Sequence, residues 1–322
     1  MSAENDWATG ANPDRTYDVV AIGETMVQLV PQGERLVDAD AVRIGIGGAE
    51  SNTASYLAAA GHSVAWVSAV GDDPFGQRML REISAYGVDV SRVLIDRNAP
   101  TAVYFKDPTP TGTTVYYYRR GSAAAALTAA TADLPDLSKV RVVHMSGITI
   151  ALSPGCAELV SHVRGLAKAA GALFSFDVNY RPALWSVDEA APALLAQARA
   201  SDLVFVGLDE ANVLWGCETP EQVRDLLPNP ELVVKDGDVG ATSFDRDGAA
   251  FVPARAVDVV EPVGAGDAFA AGYLHGLLGG ASAAERLESG HAFAGVALRS
   301  LHDVAPREEV EAVVAAGFPV AG

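Results

Sequence analysis

Lysine is scarce in this chain. Only Lys106, Lys139, Lys168 and Lys235 occur in 322 residues, and the formal net charge is −18. Nucleic acids and anionic membrane surfaces are bound by clustered cations that displace counterions, so neither fits as a partner. An anionic small molecule has to be met by local devices. Cysteine is rarer still: Cys156 and Cys217 stand far apart and form no CxxC, which excludes a zinc ribbon or a disulfide framework and points to a reducing cytoplasm. No apolar run has the length of a membrane span. The opening MSAENDWATGANPDR (1–15) is polar and acidic, lacks the apolar centre of a secretion signal and reads as a disordered tail. Two common nucleotide loops are also missing. There is no GxxxxGK[ST], and no GxGxxG follows the first apolar strand, which argues against a P-loop NTPase and a classical dinucleotide dehydrogenase.

What is present reads as one compact domain over about 16–318, since 49% of the residues are apolar and only 20% charged. YDVVAIG (17–23), SVAWVSAVG (63–71), VRVVHMSG (140–147), ALFSFDVN (172–179) and SDLVFVG (201–207) are short apolar runs with the look of buried strands. Helical patterns separate them, at 51–61, 73–87, 158–170 and after Ser186. Continuous apolar strands alternating with helices predict a mostly parallel sheet covered on both faces, a three-layer αβα sandwich. Two regions depart from this rhythm, 26–48 and 101–121. Both alternate polar and apolar residues around turn signals such as Pro108-Thr109-Pro110-Thr111-Gly112, which predicts a small antiparallel β-sheet lid over the active edge. Its outer face is expected to pair subunits, because exposed strand edges are usually covered. An antiparallel pattern returns over 231–254, with a hairpin at Asp245–Gly248, and three helices close the chain.

The stretch VGAGDAFAAG (263–272) crowds glycines and a carboxylate at the mouth of a helix. The first amides of a helix lack intrahelical partners and carry the positive end of its dipole, so a glycine-rich entry can cradle an anion without lysines. Asp267, beside that cradle, is a poor phosphate ligand but a suitable acceptor for the proton of an attacking hydroxyl. Taken alone, it also reads as a helix cap. The second glycine cluster, GGAESNTA (47–54), leads into a helix bearing Asn52, whose amide suits vicinal hydroxyls; alone it is an ordinary helix start.

Together, GGAESNTASYLAAAG with GDDPFG (71–76) and then VGAGDAFAAG resemble the two signatures of the ribokinase-like (PfkB) carbohydrate kinases, in the right order and separation. The resemblance covers about 17–306. GETMVQLVPQG (23–33), YYYRRGSAAAAL (116–127), HMSGITIALSP (144–154) and FDVNYRPALW (176–185) are most similar to the branch acting on 2-keto-3-deoxygluconate. The resemblance implies a ribokinase-like fold and transfer of the γ-phosphoryl group of Mg-ATP to a primary hydroxyl of a sugar acid. Asp267 would be the general base, with the amides of Gly264, Ala265 and Gly266 as anion hole. Gly48, Asn52, Tyr104, Tyr117, Arg119 and Arg181 would line the acceptor site. Two guanidinium groups suit a substrate carboxylate, which they grip with paired hydrogen bonds. Lys235, Gly237 and Gly240 in VVKDGDVGA (233–241) would meet ATP, with His291 near the adenosine and Glu210 near Mg²⁺.

Three positions depart from the family pattern. Gly207 replaces the asparagine of its Asn-x-x-Glu, Glu261 replaces a usual aspartate, and His291 stands where asparagine is frequent. These bear on metal positioning, on activation by a monovalent cation and on nucleotide preference. His144 and His275 read as core or helix residues. A kinase for fructose or a sugar phosphate stays open, because arginine grips phosphate as well as carboxylate. So does a catalytically silent sugar-binding protein.

Overall fold

The computed structural model describes residues 16–109 and 112–317; the tail 1–15 and the centre of the turn at Pro110-Thr111 lie outside the described residues. β1 (Tyr17–Ile22) starts the main sheet, and β2 (Met26–Pro31) and β3 (Val42–Gly47) leave it as a hairpin. α1 (Ala49–Ala59) then leads back to β4 (Val64–Val67). The single strand expected over 63–71 is broken. At Ser68 the carbonyl accepts from the Leu94 amide (3.0 Å), so pairing passes from the main sheet to a small ladder of β5 (Ala69–Gly71) and β6 (Leu94–Asp96), on either side of α2 (Pro74–Ala85).

β7 (Val103–Thr109) and β8 (Gly112–Tyr118) form the second hairpin of the small sheet. Regular alternation follows through β9 (Val140–Ser146), α3 (Gly147–Leu152), α4 (Pro154–Ala170), β10 (Leu173–Asp177), α5 (Val187–Arg199), β11 (Leu203–Gly207), α6 (Leu208–Trp215), α7 (Pro220–Leu226) and β12 (Glu231–Asp236). A hairpin of β13 (Gly240–Asp245) and β14 (Gly248–Pro253) and the helices α8 (Ala265–Leu278), α9 (Ala283–Leu298) and α10 (Arg307–Ala316) complete the chain. Side-chain caps fix several of these boundaries. Ser153 accepts from the Cys156 amide with Pro154 in the first turn, and Ser282 and Glu285 form a capping box.

Among the described residues the main sheet has eight strands in the order β14-β13-β12-β11-β10-β9-β1-β4. The six from β12 to β4 are parallel and the last two are antiparallel additions. The antiparallel pattern expected over 231–254 thus begins at β13, since β12 pairs in parallel with β11. Successive strand residues face opposite sides: Val19 and Ala21 enter the core under α1, α2, α8, α9 and α10, while Val20 and Ile22 enter the core under α4 to α7. Each fully buried aliphatic or aromatic side chain contributes about 1.5–3 kcal/mol, and β1, β9, β10 and β11 contribute to both cores. The fold is the ribokinase-like three-layer α/β sandwich.

The second sheet has the order β3-β2-β7-β8. Each hairpin is antiparallel, but β2 and β7 join in parallel, contrary to the all-antiparallel expectation. Strands separated by a long crossover, here α1 to α2, can pair that way, whereas those joined by a tight turn cannot. This sheet stands over the C-terminal ends of the parallel strands, where ligands gather in open α/β sheets.

Candidate active site

A cavity of about 650 Å³ lies between the two sheets. Its floor is the N-terminus of α8. Gly264 caps the helix with φ +86°, a left-handed conformation, and a Cβ there would fall 2.3 Å from the Asp303 carbonyl oxygen. The amides of Gly264 and Gly266 have no hydrogen-bond partner among the described residues; that of Ala265 donates to the Pro262 carbonyl at 3.3 Å. Two free amides at the positive end of a 14-residue helix form a seat for an anion.

Asp267 follows in the first turn. Asn52, near the start of α1, donates its side-chain amide to Asp267 Oδ2 at 2.8 Å, and Thr53 bonds the Asp267 carbonyl at 3.2 Å. Burial pushes the Asp267 carboxyl up to about 7; the Asn52 bond and the nearby Arg181 and Lys235 cations oppose that rise, and Asp177 adds to it. A carboxylate that gains and loses its proton near neutrality is suited to take one from a hydroxyl.

The ends of β10, β11 and β12 supply a second charge cluster. Lys235 donates to Asp177 Oδ2 at 2.9 Å. Burial alone would lower its pKa, but the Asp177 and Glu210 carboxylates hold it raised. Glu210 accepts the Gly207 and Tyr180 amides, each at 3.0 Å, and burial followed by the charge of Asp177 raises its pKa. Asn179, with φ 40°, is the non-glycine residue of positive φ among those described, and its buried Oδ1 has no partner. Such strain is tolerated where a side chain must be aimed.

On the lid side, Arg119 forms an ion pair with buried Glu24, which Ser122 also bonds at 2.9 Å. Its guanidinium lies 5.5 Å from the centre of the Tyr117 ring, and Tyr117 packs 5.8 Å from Tyr104. Arg181 is exposed and forms no ion pair among the described residues. Tyr104 and Gln28 bond the buried Asp303 at 3.3 and 3.0 Å, and Lys106 bonds Glu261 at 3.0 Å.

The cavity therefore brings together Gly48, Asn52, Tyr104, Tyr117, Arg119, Arg181, Glu210, Lys235, Gly237, Gly264, Gly266 and Asp267. Three residues singled out from the sequence lie elsewhere. Ala265 packs toward the core beside the cradle. Gly240 is enclosed in the β13–β14 hairpin, with φ +153° and the Val252 carbonyl 2.5 Å from where a Cβ would be. His291 lines a second cavity of about 240 Å³ with Arg255, Val257 and Arg299; it lies 3.1 Å from the Val252 carbonyl, and burial lowers its pKa. His144 is enclosed at 3.0 Å from Ser175 and kept neutral, its pKa lowered to about 4 by burial, and His275 pairs with His62 at 2.8 Å. Sequence reasoning missed Asp177, Asn179, Asp303, Lys106 and Glu24. Asp177 and Asn179 had a signal, polar residues where the apolar run of β10 ends.

This site and fold define the class. Residues 16–309 match the pfkB family carbohydrate kinases, and the chain belongs to that family. It is 34% identical over 296 residues to the 2-dehydro-3-deoxygluconokinase of Bacillus subtilis, covering 89% of this chain and 91% of that one. It is also 34% identical over 259 residues to fructokinase-2 of Zea mays, covering 78% and 77%. The crystal structure of a PfkB protein from Polaromonas sp. JS666 superposes with a TM-score of 0.82 at 34% identity, covering 92% of this chain and 99% of that one. The protein is a carbohydrate kinase. No helix among the described residues is long and apolar enough to cross a membrane.

Proposed function

We propose that the protein transfers the γ-phosphoryl group of ATP to the C6 hydroxyl of 2-keto-3-deoxygluconate, also called 2-dehydro-3-deoxygluconate, in the cytoplasm. The observation that carries this reading is the cavity itself: a carboxylate poised near neutrality beside a helix-end anion seat, with two guanidinium groups lining the same space. The Bacillus subtilis relative supports the choice of acceptor.

In this mechanism Asp267 takes the proton of the C6 hydroxyl as its oxygen attacks the γ-phosphorus, and the bond to the β-phosphate oxygen breaks to release ADP. The Gly264 and Gly266 amides hold the charge that develops on the phosphoryl oxygens. Arg181 and Arg119 grip the acceptor carboxylate, and Tyr104 and Tyr117 orient the sugar. Lys235 and Gly237 face the phosphates of ATP, and His291 with its smaller cavity takes the adenosine side. Mg²⁺ supplies charge neutralisation to the phosphates when bound. The hard oxygens of Glu210 and Asp177 and the unpartnered Asn179 Oδ1 fit that ion, which keeps several waters and asks little more of a protein.

A second reading, a fructokinase or sugar-phosphate kinase, is favoured by the Zea mays relative and by the pairing of Arg119 with Glu24, which leaves Arg181 as the unengaged guanidinium. A silent sugar-binding protein would need neither base nor seat, and both groups are present. Dimerisation through the lid fits the exposed Tyr116 and Tyr118 on its edge strand β8. The test is ADP release with Mg-ATP across 2-keto-3-deoxygluconate, its galactonate epimer, fructose, ribose and fructose 1-phosphate. Turnover confined to the keto-deoxy acids is expected; preference for fructose or a sugar phosphate would replace the acceptor assignment.

A further inference from the structure

The anion seat is flanked by negative charge. Glu261 lies three residues before Gly264, and its Oε1 accepts the Val263 amide at 3.3 Å, so this carboxylate is built into the loop that enters the seat. On the other wall, the backbone of Asp303 lies against Gly264, so closely that a Cβ on the glycine would meet its carbonyl at 2.3 Å. Carboxylates carried by the two segments that flank a phosphate seat would repel the ligand it is made for. A single ammonium group meets both. Lys106 Nζ lies 3.0 Å from Glu261 Oε2 and 3.7 Å from Asp303 Oδ1, with its side chain only 6% exposed. It comes from β7 of the lid, on the strand that also carries Tyr104 to Asp303.

The other cations lining the cavity are differently placed: Lys235 pairs with Asp177, Arg119 pairs with Glu24, and Arg181 forms no ion pair among the described residues. We propose that Lys106 is a positioning residue for phosphoryl transfer. Its buried ammonium, delivered by the lid, offsets part of the negative charge of Glu261 and Asp303 and ties together the two segments that flank the α8 anion seat. The lid then serves the phosphate end of the reaction as well as the sugar end, through one lysine in a chain that has only four. The Lys106–Glu261 ion pair also explains how Glu261, longer than the aspartate expected there, is accommodated: its carboxylate reaches the lid lysine.

This inference rests on the carbohydrate-kinase activity but not on the choice of acceptor, because its first readout is Mg-ATP binding by calorimetry, without sugar. In Lys106→Met, which keeps the length of the stem and removes the charge, Mg-ATP is expected to bind about 10-fold more weakly, and kcat on whichever sugar the wild type turns over to fall about 10- to 100-fold. Ammonium ions at high concentration restore part of kcat, whereas tetramethylammonium, too large for the space, does not. The double variant Lys106→Met/Glu261→Gln, which removes one of the two opposed charges, is expected to recover both folding and activity relative to Lys106→Met. Were Lys106→Met to bind Mg-ATP and turn over within twofold of wild type, the proposal would be overturned. It fails equally if only the KM for the sugar rises, which would make Lys106 a direct acceptor ligand. A double variant no better than Lys106→Met, together with no rescue by ammonium, would also refute it.

Discussion

Asn52 and Asp267 are 215 residues apart in the chain, yet the amide of one donates to the carboxylate of the other at 2.8 Å. That bond joins the two glycine-rich signatures, because α1 and α8 enter the cavity side by side. It also sets the chemistry. Burial drives the Asp267 pKa up to about 7 and Asn52 restrains the rise. With Asp267 as base, kcat/KM should climb with pH through about 7 and then level off, since only the ionised carboxylate accepts a proton. Asn52→Leu removes a donor that favours the ionised form, so its acid limb moves to higher pH. A pH–rate profile of both proteins checks this: loss at pH 6 should exceed loss at pH 8.5.

Asp267→Asn separates function from stability. Loss of a general base costs about 10²-fold or more in kcat, with ATP and sugar binding nearly intact. Stability moves the other way. A carboxyl whose folded pKa lies above its unfolded value near 4 destabilises the fold once ionised, so wild-type stability falls as pH rises from about 4 to about 7. The full effect would be about 4 kcal/mol in an enclosed site; the cavity is open to water, so a gain of about 1–2 kcal/mol for Asp267→Asn is expected above pH 7. Thermal melts at pH 4 and pH 8 should show little difference between the two proteins at the first and a more stable variant at the second.

Two glycines of the cradle should respond differently to the same change. At Gly264 an alanine has to adopt φ near +86° and place its Cβ 2.3 Å from a backbone oxygen, so both Tm and kcat should fall sharply. At Gly266 a Cβ meets only the Lys235 ammonium at 3.6 Å, an ordinary contact, and the position is helical. Gly266→Ala should therefore leave Tm unchanged or raise it by the equivalent of about 0.5–1 kcal/mol, while a methyl group at the seat lowers kcat. Paired melts and steady-state rates decide the point.

The fold and half of the site were legible in the sequence because their signals are local. β9, β10 and β11 are continuous apolar runs, and Gly264-Ala265-Gly266-Asp267 is a helix mouth with its ligand chemistry written in consecutive residues. What escaped reading depends on distance along the chain. Lys235 meets Asp177 across 58 residues, and Lys106 meets Glu261 across 155; either lysine alone resembles a solvated surface charge. The parallel β2–β7 join and the break at Ser68 were hidden for the same reason, since alternation marks a strand but not its neighbour. Arg119 was legible as a site cation, whereas Glu24, which engages it, sits in a stretch that reads as plain strand and turn.

That engagement sets the two guanidinium groups apart. Arg181 is exposed and unpaired among the described residues, so Arg181→Ala should raise KM for an acidic sugar about 10-fold or more, the scale of one charge-assisted pair, with little change in Tm. Arg119→Ala also strips Glu24, 2% exposed, of its cation and leaves Ser122 as its remaining bond. Breaking a buried pair from one side costs about 3–5 kcal/mol, so this variant should lose several degrees of Tm as well as substrate affinity. Arg119→Ala/Glu24→Gln removes the stranded carboxylate and should recover stability without recovering KM. If that double variant regained KM as well, Arg119 would be a scaffold for the lid, and carboxylate recognition would fall to Arg181 alone.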